Sequence, residues 1–339
     1  MKAIVQDRYG PPEKVLRLRD VERPAPGDGE VLVRVRASCV HPDVWHVVTG
    51  RPWVMRLMGS GVRRPKNPVP GTDVAGIVEA VGENVSRFAP GDAVFGETHS
   101  QLQWVNGGAF AEHVAVPEDT LALKPEGIGF EEAASVPTSG FIVLLNLRGG
   151  ARIEPGMEVL VNGAGGGVGS IAVQFAKANG ARVTGVDRGE KLEMIRSLGA
   201  DEVIDYTRED FTSRGDRYDL ILDVASNLSL RASRPALTPD GVYLVIGHDH
   251  FGKAKGRVLG SVPRMLGLMA AALFSRHLPR AEGTRAPTKG EVIAVLRELL
   301  ATGKLTPVID RTYPLEEVSA AMLHLQSGRA CGRIAIAPG

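Results

Sequence analysis

The apolar residues of this chain fall into two textures. Up to about residue 125 they come as short Val-rich runs such as VLVRVRA (31–37) and VAGIVEAVG (74–82). The apolar and charged positions of VLVRVR alternate, and a period of two sets one face on a core and the other in water, which predicts a half-buried strand. PGTD and APGD lead into strands as turns, because Pro presets φ and the following Gly accepts the bend. These signals predict a compact, mostly β unit. From about residue 126, apolar runs alternate with helical patterns: EVLVN (158–162), ARVTGVD (181–187), DEVIDY (201–206), YDLILDVA (218–225) and VYLVIG (242–247). A buried parallel sheet with crossover helices produces this texture. Within VGSIAVQFAKANG, the side chains of Val168, Ile171, Ala172, Phe175 and Ala176 share one helical face, and Gly180 stands where a C-terminal cap belongs. LEMIRSLGAD repeats the helix-to-glycine ending. The fold class predicted is α/β, a doubly wound parallel sheet of the Rossmann type. After residue 287, EVIAVLRELLATGK predicts a helix, and TPVIDRTYPLEEV and GRIAIA return to the first texture. The sheet domain, 126–287, is therefore expected as an insertion in a unit made of 1–125 and 288–339.

One segment fits neither texture. Residues 252–286 set Lys253, Lys255, Arg257, Arg264, Arg276, Arg280 and Arg285 around MLGLMAAALF. The leading expectation is an amphipathic helix packed on its own protein; the alternative is contact with a membrane surface or a partner. A bilayer span needs about 20 apolar residues, so this stretch does not predict a transmembrane helix. Forty Lys and Arg against 39 Asp and Glu leave a net charge of +1, which gives no basic footprint for nucleic acid. The 339 residues hold only Cys39 and Cys331, too few for a disulfide framework or a multi-cysteine zinc lobe. A reducing, cytoplasmic setting is expected, and MKAIVQDRYG lacks the apolar core of a secretory signal.

The chemistry starts at VNGAGGGVGS (161–170), which follows a predicted strand and opens a helix. Anchored on Gly169, the dinucleotide fingerprint GxGxxG falls on Ala164, Gly166 and Gly169, with alanine at the first position. A helix start offers free N–H groups and partial positive charge to a pyrophosphate. Gly165, Gly166, Gly167, Val168 and Gly169 are the candidates to hold it. Asp187 ends the second run about 20 residues on, where an acid binds the ribose. Alone it favours NAD, whereas Arg188 and Lys191 just after it could pair a 2′-phosphate. Tyr206 could line the adenine, and Gly247 closes the last run.

These features, with ASCVHPDVWHVVTG (37–50), PVPGTDVAGIVEAVGENV (68–85), GGAFAEHVAVPED (107–119), RSLGADEVIDYTREDF (196–211) and KLTPVIDRTYPLEE (304–317), resemble the medium-chain dehydrogenase/reductase superfamily over nearly the whole chain. Within it, the sequence is most similar to the zinc-independent, zeta-crystallin-like quinone oxidoreductase branch. The resemblance implies a Rossmann domain inserted into a GroES-like catalytic domain, NADP(H) slightly ahead of NAD(H), and a homodimer. It aligns His41, Thr72 and Thr138 with the Cys, His and Cys that hold catalytic zinc in alcohol dehydrogenases, and two threonines are poor zinc ligands. No metal site is therefore expected. His41, in a VHP motif that the branch commonly writes VNP, is a candidate hydrogen-bond or proton donor, or equally a buried, satisfied histidine. His46 aligns with a residue that approaches the nicotinamide ribose, and Thr138 with a cleft residue beside the nicotinamide. His41, His46 and Thr138 are the catalytic candidates, the last two also touching cofactor. Trp45, Trp53, Met55, Leu57 and Met58 could wall an apolar cleft or simply form core. The activity implied is NAD(P)H-dependent, zinc-independent reduction of a quinone or α,β-unsaturated carbonyl. The alternatives are a zinc-type alcohol dehydrogenase with an unusual ligand set, and a catalytically idle nucleotide-binding protein acting through a partner or membrane surface.

Overall fold

The computed structural model describes residues 1–100, 104–149, 152–247, 251, 258–279 and 285–339. Its five-stranded parallel sheet has the spatial order Glu202–Asp205, Arg182–Asp187, Glu158–Asn162, Tyr218–Asp223, Leu237–Val245. Successive strands run outward on both sides of Glu158–Asn162, so a crevice opens at the C-terminal ends of the central strands, where open α/β sheets bind ligands. Each strand occurs where an apolar run predicts one. The last begins at Leu237, five residues before VYLVIG, because Leu237 still pairs with Tyr218 across a register shift that takes up the TPDG sequence.

Helix Gly167–Ala178 connects the first two strands, and the left-handed Gly180 follows its cap Asn179. Ile171, Ala172 and Ala176 are buried as their shared face requires. Burial extends to Val173 and Gln174 because a second layer covers the helix. The Gln174 amide donates to the Thr306 carbonyl and accepts from the Thr306 N–H.

The other domain is built on a seven-stranded sheet around the long strand Glu30–Val40. That strand pairs with Asp73–Val81, with His113–Pro117 and, near its C-terminal end, with Arg333–Ala337. Residues from both ends of the chain thus share one sheet. Helix Lys289–Ala301 starts with a capping box between Thr288 and Glu291 and buries Val292, Ile293, Leu296 and Leu300. These four join one apolar cluster that includes Leu160 neighbours Val159 and Val161 from the parallel sheet and Ala37, Ala75 and Phe95 from the antiparallel one.

Helix Val262–Ala272 forms within the basic and apolar segment, but none of its residues is fully buried. Leu268, Ala271 and Ala272 rest against the core around Tyr243, while Met265, Leu266 and Met269 are exposed. Lys253, Lys255, Arg257 and Arg280 lie outside the described residues. Among the described residues, no helix is long and apolar enough to cross a membrane.

Candidate active site

The glycine stretch turns tightly at Gly163, whose φ is +88°, so the alanine at the first fingerprint position carries no left-handed strain. Gly166 caps helix Gly167–Ala178. A Cβ at Gly169 would sit 2.0 Å from the Gly163 carbonyl oxygen, which places Gly169 where helix and turn must touch. The loop is braced from the other domain, since the Gly332 N–H donates to the Gly165 carbonyl at 2.9 Å.

A second helix start, at Pro137 of Pro137–Gly149, meets this loop. A Cβ on Gly167 would lie 2.4 Å from Arg333 Cδ and 3.4 Å from Ser139 Oγ. Among the described residues, the buried Ser139 Oγ and Arg333 Nε have no hydrogen-bond partner. Arg333 Nη2 is paired with the wholly buried Asp73, which also accepts the Thr138 N–H at 2.8 Å. Two helix starts, an arginine and an unused hydroxyl around side-chain-free backbone suit the pyrophosphate and inner ribose of a dinucleotide.

Asp187 projects back under the loop. One carboxylate oxygen accepts the Gly165 N–H and the other the Arg188 N–H, each at 2.8 Å. Lys191 is buried, 3.8 Å from that carboxylate, and donates to the Gly328 carbonyl. Arg188 is half-buried, and its Nε donates to the Tyr206 hydroxyl at 2.8 Å. Gly247 follows the last strand, where a Cβ would collide with the Val224 carbonyl at 1.9 Å. The backbone at that strand end is thereby kept bare.

The catalytic candidates occupy distinct surroundings. His41 is buried and caps helix Pro42–Thr49, its Nδ1 accepting the Asp43 N–H at 3.2 Å. That bond leaves the imidazole proton on Nε2. His46 lies on the same helix, and its Nδ1 donates to the Arg51 carbonyl at 2.8 Å. Thr138 and Thr72 are buried with their hydroxyls 3.5 Å apart. Neutral hydroxyls tied to each other do not make the thiolate and imidazole set that zinc takes. Cys39 is fully buried, and burial pushes its thiol up to about 12, opposed by the neighbouring Arg333. Among the described residues, no three His, Cys, Asp or Glu side chains are grouped to hold a metal.

Of the proposed wall, Met55 lines a narrow gap beside His46 together with Trp104 and Met265. The Trp45 indole donates to Gln326 and meets both His46 and Phe251 edge to face. Trp53 and Leu57 are exposed, and the side chain of Met58 lies outside the described residues. Trp104 and Met265 had no sequence signal: one is a single aromatic in a loop, the other one methionine of an apolar run.

Taken together, a parallel sheet with a glycine-rich cradle at its strand ends, sharing a core with a seven-stranded, mostly antiparallel sheet, has the architecture of a dinucleotide-dependent oxidoreductase. Residues 27–126 match the alcohol dehydrogenase GroES-like domain and residues 198–336 the zinc-binding dehydrogenase family. The whole chain is 30% identical to the chloroplastic quinone-oxidoreductase QR1 of Triphysaria versicolor, over 98% of that protein. It is likewise 30% identical, over its full length, to 2-methylene-furan-3-one reductase of Solanum lycopersicum, covering 79% of that relative. Quinone oxidoreductase of Escherichia coli, solved in complex with NADPH, superposes with a TM-score of 0.77 at 26% identity, each chain covered completely. The chain belongs to the quinone oxidoreductases of the medium-chain dehydrogenase/reductase superfamily.

Proposed function

We propose that this protein reduces a quinone or an α,β-unsaturated carbonyl with NAD(P)H and without zinc. One observation carries the reading: a glycine-rich cradle suited to a nucleotide adjoins the paired hydroxyls of Thr72 and Thr138, which the family resemblance aligns with zinc ligands of alcohol dehydrogenases. The coenzyme, when bound, supplies hydride to the β-carbon of the acceptor. The two helix starts, Ser139 and Arg333 hold its phosphates, Asp187 its adenosine ribose, and Arg188 and Tyr206 flank the adenine end. His46 and Thr138 border the nicotinamide end. His41, with its proton on Nε2, donates to the acceptor oxygen as negative charge grows there. Positioning of the two reactants supplies much of the rate, so no Lewis acid is required.

Arg188 beside the ribose position, and a neighbour solved with NADPH, support NADP(H) slightly ahead of NAD(H). Asp187, which accepts ribose hydroxyls and repels a 2′-phosphate, keeps NADH a competing coenzyme. The two unpaired cysteines support a reducing, cytoplasmic setting. We also propose a homodimer, and contact of residues 252–286 with their own protein in preference to a membrane surface. Light scattering and flotation on anionic vesicles check these two points: monomeric mass or vesicle binding reverses them.

The reaction is tested by following NADPH and NADH oxidation with a panel of quinones and enones in the presence of a chelator. Turnover unchanged by the chelator is expected. Absence of turnover across the panel, or turnover restored only by zinc, overturns the reading.

A further inference from the structure

A chamber of about 750 Å³ lies between helix Val262–Ala272 and the ends of the strands at Tyr243–Gly247. It is within the range of about 300–1,000 Å³ for pockets that enclose a drug-sized molecule. Its walls include Leu244, Ile246, Leu268 and Ala272, and the helix forms its roof. Two observations tie it to the reaction site. Gly247, on the bare strand end, lines it. Trp104, Ser261 and Met265 border both the chamber and the gap of about 20 Å³ that reaches His46.

The polar groups of the chamber are committed within the protein. Arg264 donates to the carbonyl and hydroxyl of Ser226, at 2.7 and 2.8 Å, and lies 3.9 Å from Asp223. The Tyr243 hydroxyl donates to Asp223 at 2.7 Å, and the Asn146 amide to the Ile142 carbonyl at 2.8 Å. A polar occupant would lose its hydration without gaining partners, whereas an apolar one gains from burial.

From this we infer that the chamber is a subsite for an uncharged alkyl or prenyl tail, and that the acceptor is a quinone or enone carrying one. The inference rests on the reductase reading and adds the half of the substrate that does not react. The reactive carbonyl lies at the His46 end and the tail runs beneath the roof helix. Buried methylenes contribute about 0.8 kcal/mol each, so kcat/KM rises about fourfold per methylene until the chamber is filled.

The test uses the purified full chain with reduced coenzyme and alkyl vinyl ketones from methyl to nonyl, beside a nonyl-length analogue ending in a carboxylate. kcat/KM is expected to climb with neutral chain length and to drop for the carboxylate. Ala272→Trp, which fills the chamber from the roof, is expected to cut the nonyl ketone's kcat/KM about tenfold, in line with the discrimination of apolar pockets, and to leave the methyl ketone unchanged. Leu268→Trp serves as an independent second filling. A flat chain-length profile, equal treatment of the carboxylate, or equal losses on both ketones in both variants overturns the subsite. If no acceptor is reduced, the reductase reading fails separately. The subsite is then judged from thermal stabilisation by saturated methyl nonyl ketone: a rise in Tm abolished by Ala272→Trp supports it, and no rise overturns it.

Discussion

At the scale of single residues, the proposed function makes Asp187 the residue that sets the coenzyme balance. Both of its oxygens are fixed by backbone N–H groups, so the charge cannot swing away from an incoming 2′-phosphate. Asp187→Gly is expected to move the NADPH to NADH ratio of kcat/KM upward by about tenfold or more, the effect of removing about 1.4 kcal/mol of like-charge repulsion. Steady-state kinetics with both coenzymes checks it. Glu97 and Lys289 form a second buried charge site, 2.7 Å apart. Burial pushes the Glu97 carboxyl up to about 7, with Lys289 pulling it down. Between its usual 4.5 and about 7 the folded protein holds a proton that the unfolded chain has released. The contribution of this site to stability is therefore greatest below that window, falls as pH rises through it, and is flat above. Urea unfolding over the window should show this slope in the native protein and lose it in Glu97→Gln. Above about pH 7, where Glu97 is ionised, that variant also leaves Lys289 without its counter-charge and is expected to be less stable by about 3–5 kcal/mol.

At the scale of elements, turn and helix meet at Gly169. Gly169→Ala puts a methyl group against the Gly163 carbonyl, so the helix must tilt and the phosphate cradle widen. Coenzyme affinity in titration calorimetry is expected to fall about a hundredfold, as a loss of about 2.7 kcal/mol would give. The cradle was legible in the sequence because its demands are local: a strand, a glycine turn and a helix start are consecutive. The parallel strands were legible for the same reason, since each is one uninterrupted apolar run. The chamber was not. Trp104, Asn146, Ile246 and Met265 are far apart in the chain, and only the packed fold brings them around one space. The roof helix showed its amphipathic character, but how little of it is covered depends on what the sheet leaves beneath it. With Phe274 92% exposed just beyond its end and no residue fully buried, the roof is held by Arg264 and by the partly buried Leu268, Ala271 and Ala272. Its amides are expected to exchange with deuterium well ahead of those in Gly167–Ala178, by mass spectrometry of native protein.

At the scale of the molecule, the two sheets are not independent bodies joined by linkers. One apolar cluster runs through both, and Lys289–Ala301 contributes to it from the far side of the insertion. The sequence textures change near residues 126 and 288 because strand and helix periods change there, a property of local patterning that does not see a core shared across the change. The last strand makes the dependence concrete. Gly332 braces the glycine loop through Gly165, and Arg333 reaches from that strand to Gly167 and Asp73. During translation the nucleotide sheet emerges from the ribosome long before these two residues do. A nascent chain can thus pair all five parallel strands and still lack the buttress of its phosphate loop. Competence to capture coenzyme then arrives with strand Arg333–Ala337, which makes dinucleotide binding a report on the synthesis of that strand as well as on folding.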